Sequence, residues 1–162
     1  MQLRQITPHD NAALAAMIRT VFDEHGAPHA GTVYSDPTTD DLYGLFRKQD
    51  SVLWVAQDDA GNLGCCGIYP TAGLPKGYVE LVKFYIPAIM RGKGIGKMLM
   101  EAALQSAEAM GYTHIYIESH PAFAKAVQIY EKYGFSHLPA PLGNSGHGGC
   151  NIWMLKVLSA TA

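Results

Sequence analysis

The sequence predicts an α/β fold, a sandwich whose mixed, mostly antiparallel sheet of about six to seven strands is flanked by about four helices. Three observations carry this. Tyr78 to Ile86 is a β-branched and aromatic run of strand length. From Lys97 onward, Met98, Leu99, Ala102, Ala103, Ala107 and Met110 recur at helical spacing. Ser51 to Gln57 and Leu63 to Tyr69 flank the turn-forming segment Asp58-Asp59-Ala60-Gly61-Asn62, which reads as a hairpin.

The remaining elements follow in order. Met1 to Ile6 alternates polar and apolar residues, as a first strand does, and Thr7-Pro8-His9-Asp10 has the hydroxyl, proline and acid of a helix start. Leu14, Met17, Ile18, Val21 and Phe22 carry that helix to Glu24, with Gly26 ending it. Gly26 to Pro37 is loop-like, and Thr38-Thr39-Asp40-Asp41 then caps a second helix bearing Leu42, Leu45 and Phe46. After the central strand and helix, His114 to Glu118 is a short strand and Phe123 to Tyr133 a further helix capped by Gly134. Phe135 to Leu138 and Asn151 to Val157 are strands separated by a glycine-rich loop, Pro139 to Gly149. The order β-α-α-β-β-β-α-β-α-β-β makes the strand after the central helix parallel to the central strand.

With 162 residues the chain is long enough for one ordinary domain and too short for two, so 1–162 is read as a single domain. Hydrophobic residues make up 48% and charged residues 16%, the balance of a globular protein. A net charge of −2 without any basic block disfavours nucleic acid or an anionic membrane as partner. Met1 to Gln5 lacks the apolar core of a signal peptide, and no later apolar run approaches the roughly 20 residues that span a bilayer. Cys65, Cys66 and Cys150 are an odd count without framework spacing, which fits a reducing cytoplasm. Zinc is disfavoured as well, because adjacent strand residues point to opposite faces and Cys65 and Cys66 could not readily share one ion. No metal is expected.

The corner between the central strand and helix has the chemistry of an anion site. Glycines at 92, 94 and 96 reach backbone angles closed to other residues and let a ligand approach the main chain. The first amides of the following helix lack internal partners and lie at the positive end of its dipole. Arg91, Lys93 and Lys97 add positive charge, so a pyrophosphate is the expected guest. A P-loop is disfavoured because Met98 follows Lys97, and a dinucleotide fingerprint because the glycine spacing does not match it.

Arg91, Gly94 and Gly96 stand as R-x-x-G-x-G, directly after a strand and opening a helix, and Ile129-Tyr130-Glu131-Lys132-Tyr133-Gly134-Phe135 follows about 35 residues on. Both segments, in this order, closely resemble the signatures of the GNAT superfamily of N-acetyltransferases. The resemblance covers nearly the whole chain and implies a sheet splayed between the central strand and its parallel neighbour, with the pantetheine of acetyl-CoA lying in the gap. It implies that main-chain N–H groups of Phe84, Tyr85 and Ile86, on a bulged strand end, bind the thioester of the coenzyme and stabilise the oxyanion, and that Arg91, Gly92, Lys93, Gly94, Ile95, Gly96 and Lys97 hold its pyrophosphate.

Acetyl transfer from a thioester to an amine needs a free amine lone pair, a stabilised oxyanion and a proton for the departing thiolate. Glu80 occupies the place of the general-base glutamate in one branch of the family, acting directly or through a water once burial has raised its pKa. The alternative is that it closes the strand with an ion pair or binds a cationic acceptor. Tyr130 matches the tyrosine that acts as general acid, its alternative being a core position among Ala126, Val127 and Ile129. Where many members have an asparagine seven residues before this tyrosine, the chain has Phe123, leaving His120 or Ser119 to replace that contact.

The sequence thus reads as an acetyl-CoA-dependent N-acetyltransferase acting by direct attack, because no cysteine is paired with a histidine in a nucleophile arrangement. A non-catalytic acyl-CoA-binding sensor or partner-binding module is the competing reading. Asp23, Glu24, Asp36, Asp40 and Asp41 give the first helices an acidic edge that would attract a cationic amine. The alternative is that caps and turns account for these carboxylates. The acceptor, a small molecule or a protein or peptide amine, stays open, as does a homodimer through the C-terminal strands.

Overall fold

The computed structural model describes residues 1–158. In chain order the elements are β1 (Gln2–Gln5), α1 (Asn11–Glu24), α2 (Leu42–Leu45), β2 (Val52–Gln57), β3 (Leu63–Tyr69), β4 (Tyr78–Tyr85), α3 (Ile95–Ala109), β5 (His114–Ser119), α4 (Ala124–Lys132), β6 (Ser136–Leu138) and β7 (Ile152–Val157). The strands form one sheet in the order β1-β2-β3-β4-β5-β7-β6. Every neighbouring pair is antiparallel except β4 and β5, which the α3 crossover makes parallel.

Helices cover both faces of this sheet, so its central strands are apolar on both sides. In β2, Leu53 and Val55 enter the core under α1 and α2, while Val52 and Ala56 enter the core under α3 and α4. Leu14, Ile18 and Phe22 of α1 fill the first core. Leu99, Met100, Ala103 and Ala107 of α3, with Val127 and Tyr130 of α4, fill the second. Cys65 and Cys66 fall into opposite cores, as their adjacency requires.

The start of α1 is fixed by the Asp10 carboxylate, which accepts the Thr7 amide at 2.8 Å and pairs with Arg4 at 2.8 and 3.0 Å. Two expectations are adjusted. The second helix is mostly a 3-10 turn over Pro37–Asp41, and α2 proper is only four residues, capped by Asp41 onto the Gly44 amide at 3.0 Å. Helix α3 begins at Ile95 rather than Lys97, so Gly96 is helical. Gly96 packs close to the strand end: a Cβ there would press on Ile86 Cδ1 at 3.3 Å and touch Phe84 Cζ at 3.6 Å, an ordinary contact.

Strands β4 and β5 pair only through Tyr78–His114, Val79–Ile115 and Glu80–Tyr116. Beyond Glu80 β4 has no partner on that side, and a cleft opens between the two strands. This is the expected splay, and it starts at the residue expected to do the chemistry.

Candidate active site

On its other side β4 is interrupted as well. Cys65 faces Tyr85 and Gly67 faces Val82, so the single β3 residue Cys66 lies opposite both Lys83 and Phe84. Such a two-against-one count is a bulge. Lys83 has φ 57°, a left-handed conformation that a residue with a Cβ adopts at a cost of about 1–2 kcal/mol. Alternation then breaks. Val79 and Leu81 face α3, and Val82 faces α1; a regular strand would turn Lys83 toward α3. The bulge instead brings its side chain into a cavity lined by Glu80, Val82, Thr71 and Asp36, on the face of α1 and α2. Regular alternation resumes with Phe84 and Tyr85.

Glu80 is 4% exposed, and its carboxylate accepts a hydrogen bond from Thr71 Oγ1 at 2.6 Å. Burial pushes its pKa up to about 7, the field of Glu118 adding to the rise while the Thr71 bond and Lys83 oppose it. The ammonium of Lys83 is held below its usual range by burial, against the pull of Asp36 and Glu80. Around this pair every other carboxylate is taken by the protein. Glu118 accepts from the Tyr116 hydroxyl at 2.7 Å and from Ser145 Oγ. Asp36 pairs with His147 Nε2 at 2.8 Å and accepts from Thr38. Burial would raise Asp36, yet those bonds outweigh it and hold the carboxyl at about 2.

An adjoining cavity, which shares Glu80, Val82 and Lys83 with the first, extends across the strand ends to Ser119, Phe123, Cys150 and Tyr130, so Glu80 and Tyr130 line one space. The Tyr130 phenol is buried and pushed well above its usual pKa by desolvation, so it stays in its O–H form. Its ring lies 6.0 Å from Phe84 and 6.0 Å from Phe135. Cys150 is raised to about 12 by burial and the nearby carboxylates, a thiol unsuited to nucleophilic attack.

Toward α3 the chain takes the shape of an anion cradle. Gly92 and Gly94 have φ 79° and 78°, and a Cβ on either would meet nothing within 4 Å. The first backbone bond of the helix is Met98 N–H to Gly94 O at 3.2 Å. Among the described residues the six amides from Gly92 to Lys97 donate to no protein acceptor. Lys93 and Lys97 are exposed beside them. Arg91 is not turned to this cradle: its Nε donates to Ile86 O at 3.0 Å, and its Nη2 lies 3.2 Å from Glu24 Oε1 and 3.0 Å from His25 Nε2. It lines a second, mostly apolar cavity with Ile86, Lys125, Ala126 and Ile129.

Phe123 separates the two cavities. It packs edge-on against Phe22 at 5.1 Å and against Tyr85 at 6.2 Å, and lies 5.3 Å from His25. An apolar wall thus stands where a polar contact was sought. His120 uses its Nδ1 to accept the Ala122 amide at 3.0 Å and start the turn before α4, and both His120 and Ser119 line the cavity with Glu80. The acidic edge is likewise spent within the protein. Asp23 binds His29, Glu24 binds Arg91, Asp36 binds His147, Asp40 binds Arg19, and Asp41 caps α2. Among the described residues no three His, Cys, Asp or Glu side chains gather as a metal set.

The sequence pointed to Glu80 and Tyr130, which line one cavity, and to the glycine corner, which stands apart from it at the start of α3. It did not single out Lys83, Thr71 or the Tyr116–Glu118–Ser145 chain of hydrogen bonds. For Lys83 a signal existed, a lysine within the otherwise apolar stretch from Leu81 to Ile86.

A profile of the acetyltransferase (GNAT) family matches residues 14–135, well over half of the chain. The chain belongs to this family. Its similarity to the uncharacterized N-acetyltransferase YjgM of Escherichia coli (strain K12) is 34% identity over 157 residues, spanning 96% of this chain and 94% of that one. A GNAT-family acetyltransferase of Staphylococcus aureus Mu50 superposes with a TM-score of 0.84 at 17% identity, covering 98% and 99% of the two chains. A GNAT phosphinothricin acetyltransferase of Sinorhizobium meliloti, solved in complex with AcCoA, superposes at 0.74 with 16% identity over 97% of this chain and 88% of that one. This GNAT protein is an acyltransferase.

Proposed function

We propose that this GNAT enzyme transfers the acetyl group of acetyl-CoA to a primary amine by direct attack, with Glu80 as general base and Tyr130 as general acid. One observation carries the reading. A buried carboxyl held at about 7 lines the same cavity as a buried phenol, at the point where β4 and β5 part. The protein spends free energy on keeping Glu80 there, and a base poised near neutrality is what amine acetylation needs.

The coenzyme fits the residues present. Its pyrophosphate would lie on the amides of Gly92 to Lys97, which have no protein partner, with Lys93 and Lys97 supplying charge. Arg91 would join them on leaving Glu24. The thioester would reach the bulged end of β4, near Phe84, Tyr85 and Ile86. The amine loses a proton to Glu80, directly or through one water, and its lone pair attacks the thioester carbon. Collapse of the tetrahedral adduct breaks the carbon–sulfur bond, and the thiolate leaves as the Tyr130 O–H donates to it. The adduct nitrogen gives up its second proton, which restores the Tyr130 hydroxyl, and Glu80 releases its own to solvent.

No helix of the described residues is long and apolar enough to cross a membrane. With three free cysteines, the cytoplasm is the compartment proposed.

Calorimetry with acetyl-CoA, followed by thiol release over a panel of amines, tests the reading. Binding with turnover on at least one amine is expected. Tight coenzyme binding without turnover on any amine would make the protein an acyl-CoA sensor, and absence of binding would overturn both.

A further inference from the structure

Resting on the N-acetyltransferase reading, we propose that the acceptor is a small amino carboxylate, its amine meeting Glu80 and its carboxylate held by the ammonium of Lys83. Lys83 is 5% exposed, lines the cavity beside Glu80, and takes part in no side-chain hydrogen bond or ion pair among the described residues. No fully enclosed side-chain nitrogen or oxygen lacks a hydrogen-bond partner, so the unpartnered Lys83 nitrogen keeps its contact with the cavity space. A cation this deep, without a protein partner, is costly unless a ligand completes it.

The placement is built. A regular strand would point residue 83 into the opposite core, and the chain accepts a left-handed lysine to aim it at Glu80. The carboxylates that face Lys83 do not neutralise it by contact: Asp36 is bound to His147 and Thr38, and Glu80 to Thr71. Glu118, the third acid on the cavity wall, is bound to Tyr116 and Ser145. The Lys83 nitrogen is therefore open to a ligand, whose anion would hold it in the positively charged form against the effect of burial.

That charge selects among acceptors. A polyamine would bring a second cation toward Lys83 and is repelled. A phosphate dianion would exceed the one charge available and face Asp36 and Glu118. A single carboxylate balances it. Glu80, Lys83 and Tyr130 line one cavity, so an amine and a carboxylate carried on one small molecule can meet both charged side chains at once.

The test compares free amino acids with the amines that decarboxylation of each would give, scored as kcat/KM for thiol release from acetyl-CoA. The wild type should prefer the acids by about tenfold to a hundredfold, the range for a charge-assisted hydrogen bond. In Lys83→Met the ratio should collapse toward one, chiefly through a raised KM for the acids, and in Lys83→Arg the preference should return. The KM for acetyl-CoA, measured on each variant, shows that the coenzyme cleft is intact. Equal or better turnover of the decarboxylated series by the wild type overturns the role of Lys83 while leaving the N-acetyltransferase reading standing. So does a preference that persists in Lys83→Met. Turnover only on peptide or protein amines overturns the small amino carboxylate. Absence of turnover on every amine, with coenzyme still bound, overturns the enzyme reading and this one together.

Discussion

Glu80 makes two measurements move in opposite senses. Its folded pKa of about 7 lies above the 4.5 of a free glutamate, so the native state binds the proton more tightly than the unfolded chain. Below pH ~4.5 both states are protonated and burial carries no charge penalty. As pH rises through 7 the native carboxyl ionises inside the protein, and the stability it contributed as a neutral group is lost, at most roughly 3 kcal/mol. Glu80→Gln keeps an oxygen for the Thr71 hydroxyl and removes the charge. Urea unfolding should therefore find this variant more stable than wild type near pH 8 and equal to it near pH 4. Activity should do the reverse: kcat/KM of the wild type rises with pH to a plateau with a midpoint near 7, and the variant loses about 10²-fold and that ascending limb together. An unchanged pH profile in Glu80→Gln would leave the residue a structural one. Tyr130→Phe removes only the donor, because the ring still packs on Phe84 and Phe135; it should lower kcat about 10²-fold with little change in coenzyme affinity, read by steady-state kinetics beside calorimetry.

At the scale of elements, the corner before α3 shows why spacing was informative. Gly92 and Gly94 supply the left-handed backbone that turns six amides outward, and Gly96 lets the helix start close against Ile86 and Phe84. The first need is local and was legible in the sequence; Gly96, expected to share the special backbone angles, lies instead in regular helix beside Ile86 and Phe84, which spacing alone did not show. Gly94→Glu tests the first: it strains the helix cap and sets a carboxylate where an anion is to sit, so acetyl-CoA affinity should fall by at least about 100-fold. Calorimetry would show the loss, and an unchanged far-ultraviolet circular dichroism spectrum would show that the sheet survived. The hairpin, the capping box and the end of α1 at Gly26 were legible for the same reason. The bulge was not. It depends on which β3 residue β4 meets, a long-range register that no short window contains, and regular alternation assigns Lys83 to the wrong face. The acidic edge misled in the converse way: composition shows the charges of Asp23, Glu24, Asp36, Asp40 and Asp41, and only the folded chain shows a partner for each.

Across the whole molecule, the site exists because one sheet serves two cores. Glu80 and the bulge sit on a strand gripped by β3, while the partner strand β5 is held by β7 and leaves β4 after three residues. A cleft in mid-sheet is tolerable because both faces remain sealed by helices, with α1 and α2 on one side and α3 and α4 on the other. If either layer could melt alone, the cleft would lose a wall, and the position of Glu80 would not be maintained. The chain should therefore unfold as one unit, as a single domain does, although its apolar residues form two separate clusters. Leu14→Ala empties space in the first core and Leu99→Ala in the second, and both leucines are fully buried. Each should cost about 2–5 kcal/mol, and because the sheet lies between them the two costs should add to within ~0.5 kcal/mol. Urea denaturation followed by tryptophan fluorescence and by circular dichroism should give coincident transitions for wild type, both single variants and the double variant, with an unchanged dependence on urea concentration. Non-coincident transitions, or a Leu14→Ala variant in which the α3 side keeps its wild-type midpoint, would show two independently folding layers and would remove the physical basis for a rigid cleft between β4 and β5.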